Sequence, residues 1–163
     1  MRSFSNLWYW IVLAVVWTSV GQRVLGVPWD MILRARKTEG DEIMADVSEL
    51  VRIHVNHRLR IAQETGLVLA GLAAFVLTSL MLLAFVYAVE FAQAVFLLVF
   101  PLMLVSALSL RSAHALRHHD LDGLPLVKAL QRLRLQTQLI GMASIFVTAM
   151  WGMYHNMSAN VLG

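Results

Sequence analysis

Cysteine is absent from the 163 residues. That excludes disulfide staples, thiolate nucleophiles and Cys-ligated zinc or iron–sulfur clusters from this stretch of chain. Charge is scarce too: 14% of positions are charged, against about 25% in average globular usage. The net charge is only +3, and the basic residues lie beside apolar runs rather than in a patch of their own. Nucleic acid is therefore not an expected partner, and no cofactor is expected. In place of charge there is apolar surface, at 59% of positions. A chain of this length and composition has room for one membrane domain over residues 1–163 and no second, soluble one.

The apolar character peaks in Gly66–Leu110, where Glu90 and Gln93 are the only clearly polar side chains apart from a few Ser and Thr. As one helix, about forty-five residues would be about 68 Å long, whereas about 20 residues span a bilayer core. The run therefore reads as two spans, 66–89 and 91–110, folding back at Glu90. Pro101 predicts a kink in the second of them, with neighbours satisfying the carbonyl it frees. Leu7–Leu25 reads as a further span. Only Arg2 is basic ahead of it, and Trp8, Tyr9 and Trp10 crowd its start, so a retained helix is expected rather than a signal peptide. A fourth span covers 135–154. The fold class expected is all-α, a polytopic membrane protein with four transmembrane helices.

Between the first and second spans, Val27-Pro28-Trp29-Asp30 breaks the helix. Ile43, Met44, Val47, Leu50, Val51 and Val55 then recur at helical spacing opposite Asp41, Glu42, Asp46, Glu49 and Arg52. This segment is too charged to span and predicts an amphipathic cytoplasmic helix. Its acidic first half would tilt off anionic headgroups and present Val47, Leu50 and Val51 to protein, either the bundle's own helices or a docked partner. Two stripes of small residues, Gly66, Ala70, Ala74 and Thr78 in the second span and Ser144, Thr148 and Gly152 in the fourth, predict close helix packing. Asp120–Pro125 reads as a turn, with Pro125 suited to the first turn of the next helix.

Basic residues cluster in two connections. Arg23, Arg34, Arg36, Lys37, Arg52, Arg58 and Arg60 fall in 26–65 or at its edge, and Arg111, Arg117, Lys128, Arg132 and Arg134 in 111–134. The positive-inside rule places these segments in the cytoplasm and both termini outside. Trp8, Tyr9, Trp10, Tyr87, Trp151 and Tyr154 fall at the opposite boundary, where aromatic belts form.

Histidine is the one residue type with a pattern that could carry chemistry. His54 with His57, and His114 with His118, stand three or four apart and share helix faces, as metal-ligating imidazoles do, and His119 follows beside the second pair. The bland reading is interfacial side chains near anionic headgroups, and that is the one adopted: no metal site is expected.

Several strings point in one direction together: Met1–Trp10, Gly26-Val27-Pro28-Trp29-Asp30-Met31, Glu90-Phe91-Ala92-Gln93-Ala94 and Ile145–Tyr154. With these the chain resembles a family of small alphaproteobacterial inner-membrane proteins labelled as a component of the SufBCD complex, an iron–sulfur assembly machine. The resemblance brings no catalytic motif. It implies at most an anchor or dock for such a machine, since a chain without cysteine cannot hold a cluster through thiolates. The expected function is thus a non-catalytic accessory or anchoring subunit in the lipid bilayer, joined to a protein partner or to its own copies. The alternatives are a di-iron-like membrane metalloenzyme using the histidine pairs, and a small oligomeric transporter.

Overall fold

The computed structural model describes residues 7–37, 41–119 and 123–161. Met1–Asn6, the Asp120–Asp122 part of the expected turn and the side chain of His119 lie outside the described residues. The all-α expectation holds. Helix α1 covers Leu7–Gln22, α2 Trp29–Lys37, α3 Asp41–Met81, α4 Glu90–His119 and α5 Leu124–Val161. Helix α3 packs along α4, α4 along α5, and α1 against α5. Two helical stretches, 42–86 and 90–118, are long and apolar enough to cross a bilayer, while α1 is a shorter apolar helix.

The expected amphipathic helix and the second span are a single element. Asp41–Met81 runs unbroken for 41 residues, about 62 Å. The reason is local: Arg58–Thr65 has no proline or glycine, so nothing stops propagation across the change from charged to apolar sequence. Helix α5 joins a charged and an apolar half in the same way, with Pro125 in its first turn and the Gly123 carbonyl accepting from Val127 N–H at 3.2 Å.

Between α1 and α2 the chain makes a hairpin, Arg23–Val24 (β1) against Val27–Pro28 (β2), closed by Leu25 and Gly26. Both turn residues have positive φ, 52° and 91°, as a two-residue turn matching strand twist requires. A Cβ at Gly26 would also overlap the His54 ring beneath it. Gly26→Ala should therefore lower the melting temperature in detergent, with a loss of about 1–3 kcal/mol for the strained backbone. Gly21→Ala, with nothing within 4 Å, should not. Equal melting of the two variants would refute the contact.

The pattern Trp29, Ile32, Ala35 places α2 against the core, a short helix that the sequence reading above did not anticipate. Its Ile32 is fully buried. The main core lies at the end of the bundle that carries the basic residues. It gathers Val24, Leu25 and Val27 from the hairpin, Val47, Val51, Val55 and Leu59 from α3, Ala113 and Leu116 from α4, and Leu126, Val127, Leu130 and Leu133 from α5. A smaller cluster of Leu13, Trp17 and Val105 joins α1 to α4 farther along the bundle.

Candidate functional site

The two ends of the bundle differ in chemistry. At the end with the α3–α4 turn, the last turn of α3 widens into a π-helix at Leu82–Val86. Tyr87 N–H reaches back to the Leu82 carbonyl at 3.2 Å and Val89 N–H to Leu83 at 3.0 Å. The next carbonyl, Ala84, is left over, and the buried Gln93 donates its Nε2 to it at 2.8 Å. The Gln93 Oε1 accepts from Trp151 Nε1 at 3.1 Å, and Tyr9 donates to the Ala94 carbonyl at 3.1 Å. Two of the expected aromatics, Tyr9 from α1 and Trp151 from α5, thus join an internal network, and Phe85, which is not among them, lies edge-on to Trp151 at 6.1 Å.

Pro101 follows the same logic. Proline removes the N–H that would bond the carbonyl four residues back. That carbonyl, Leu97, accepts from Ser144 Oγ on α5 at 3.4 Å. Helix α4 continues through the proline, and its freed carbonyl is met by a neighbouring helix.

The small stripes part company. Ser144, Thr148 and Gly152 are buried, and nearby Gly141 lies so close to Trp17 that a Cβ there would come within 2.8 Å of the indole. The stripe on α3 has no such neighbour. Ala70, Ala74 and Thr78 are exposed, Gly66 is half-buried, and nothing lies within 4 Å of a Cβ built on Gly66 or Gly71. Close helix packing is expected of both stripes; among the described residues the α5 stripe has a helix packed against it and the α3 stripe stays open.

The face offered above for docking, Val47, Leu50 and Val51, is filled by the chain itself. Val47 and Val51 are buried and Leu50 packs against the same core. The two acids flanking that stripe stay outside: Asp46 is exposed, and Glu49 pairs with Arg52 at 2.7 Å on the surface. Of the two destinations open to this helix, the bundle's own helices occupy it.

The histidines do not converge. His54 Nδ1 bonds the Leu50 carbonyl at 2.9 Å, and its ring supports Gly26. His57, His114 and His118 are exposed. Among the described residues, no three of His, Cys, Asp and Glu come together as a group able to hold a metal.

Basic side chains mark the other end. Surface pairs neutralise some of them, Arg34 with Asp30 at 2.9 Å and Arg60 with Glu64 at 3.3 Å. Arg134 is different. Its guanidinium lies 4.0 Å over the Trp29 ring, and its Nε is buried without a hydrogen-bond partner. Comparison with protein-family models, with curated proteins and with solved structures finds no match.

Proposed function

We propose that the chain is a four-helix, multi-pass inner-membrane protein acting as a non-catalytic accessory or anchoring subunit, and that it grips its partner through the open flank of α3. The observation that carries this reading is that the most apolar part of the chain is also its least covered. Leu67, Val68, Leu72 and Phe75 are between 58% and 89% exposed. A contiguous apolar flank of this kind is costly in water and marks a membrane or protein contact. The exposed Ala70 and Ala74, with half-buried Gly66, add a face on which another helix backbone can approach closely. In lipid, dispersion and backbone proximity must drive association in place of the hydrophobic effect. The resemblance to the SufBCD-labelled family makes an iron–sulfur assembly machine the first partner to test.

Ala74→Leu tests the flank. Since Ala74 is exposed among the described residues, melting in detergent should stay at the wild-type value while recovery of the partner from native membranes falls severalfold. A photo-crosslinker at Ala74 should capture a protein rather than lipid alone. Wild-type recovery in the variant would overturn the reading.

The orientation proposed puts the basic end in the cytoplasm and both termini in the periplasm. The positive-inside asymmetry and the aromatic network at the opposite end support it. Alkaline phosphatase fused at Gly163 or near Glu90 should be active, and fused at Gly123 silent. Activity at Gly123 would reverse the topology.

A further inference from the structure

Two hollows meet at Arg134. One is a partly open cavity of about 310 Å³ lined by the end of α1, the hairpin, α3, α4 and α5. Its polar lining is Arg58 and Arg134 together with Ser19, Ser106, Ser109 and Thr137. The other is a groove of about 750 Å³ along the α1–α5 seam, lined by Trp17, Trp29, Gly141, Met142 and Ile145 beyond Arg134.

The charge balance of this place is uneven. Two arginines line the cavity and, among the described residues, no acidic residue does. The one acid beside the groove, Asp30, is already paired with Arg34 at 2.9 Å. Two buried donors on the groove's side chains also lack acceptors, Arg134 Nε and Trp17 Nε1. Trp17 is 9% exposed and cannot turn to water for one. Buried N–H groups are almost always paired, and an orphan calls for an explanation such as an absent ligand or water. An anion accepting from Arg58 and Arg134 answers the charge. Arginine's planar fork suits a phosphate in particular.

The groove narrows the choice of phosphate. It continues from Arg134 to Met142 and Ile145 on the apolar half of α5, so a molecule filling both hollows is polar at one end and long and apolar at the other. We propose that the chain binds an anionic phospholipid, its phosphodiester held by Arg58 and Arg134 and one acyl chain lying in the α1–α5 groove. Basic pockets between helices on the cytoplasmic side are where such headgroups bind. The proposal rests on the membrane reading above and is independent of the α3 flank.

The test uses the full chain, delipidated in mild detergent and titrated with phosphatidylglycerol, with phosphatidylcholine of the same acyl chains, and with inorganic phosphate. Native mass spectrometry counts the adducts. Phosphatidylglycerol should bind at one site at least roughly tenfold more tightly than phosphatidylcholine, and millimolar inorganic phosphate should not displace it. Arg58→Gln with Arg134→Gln should remove the preference, and exposed Arg58→Gln alone should weaken it if the double variant does not fold. Equal binding of the two lipids, or an undiminished preference in the variants, overturns the proposal. Displacement by inorganic phosphate overturns the lipid in favour of a free phosphate. A chain that inserts into vesicles without headgroup preference defeats this inference alone. One that fails to insert at all defeats the membrane reading with it.

Discussion

Leu130→Ala should lower the stability of the folded chain by about 2–5 kcal/mol, the range for emptying a fully buried leucine site. Leu130 has no exposed surface and sits on α5 where the hairpin, α3 and α4 converge. The surrounding positions include Val127, Val47, Ala113 and Leu116. They belong to three separate helices, α3, α4 and α5, so no single shift closes the void. Leu67→Ala removes the same atoms from a side chain 89% exposed and should change stability by less than about 0.5 kcal/mol. Both values can be read from unfolding of the detergent-solubilised protein on adding sodium dodecyl sulfate. A chain stabilised mainly within its apolar half would give the reverse order, and that result would remove the basic-end core as the centre of the fold.

The contrast between Leu130 and Leu67 also shows what periodicity can and cannot reveal. Val47, Val51, Val55 and Leu59 stand four apart, so the sequence declares a stripe on one helix face. It does not declare what covers that stripe. The cover comes mainly from α4, where Ala113 and Leu116 stand about sixty residues later, from Ile32 and Ala35 on α2, and from a hairpin whose two-residue turn gives little signal beyond Gly26. The small stripes show the same gap. Gly66, Ala70 and Ala74 resemble Ser144, Thr148 and Gly152 in spacing, yet only the second set lies buried. Residue size permits close approach, and connectivity decides whether a helix is there to approach. Helix α2 escaped notice because nine residues interrupted by Arg34, Arg36 and Lys37 look like a basic loop until Ile32 and Ala35 are placed on one face. The proposed ligand site was less legible still. Arg58 and Arg134 are 76 positions apart in sequence, and each alone reads as an ordinary residue flanking a span.

Gln93 is the second place where one substitution should be felt strongly. As one of only two strongly polar side chains in the apolar run, it marks the turn in the sequence. In the fold it is 7% exposed and joins three helices. Its amide orientation is fixed by its partners, since the Ala84 carbonyl requires the NH₂ and the Trp151 indole requires the oxygen. Gln93→Leu keeps the bulk and leaves one buried acceptor and one donor unpaired, costing about 1–3 kcal/mol for each. The Ala84 carbonyl has no fallback while the π-helical turn persists, because Val89 N–H is already committed to Leu83. Trp151→Phe separates the two losses. Alone it breaks the indole bond, and in the Gln93→Leu background it has no such bond left to break. The double variant should therefore be more stable than the sum of the single losses predicts, by about 0.5–3 kcal/mol, as for groups in one hydrogen-bonded network. Strict additivity would mean that Gln93 and Trp151 act independently, and the network joining the ends of α3, α4 and α5 would then have to be abandoned.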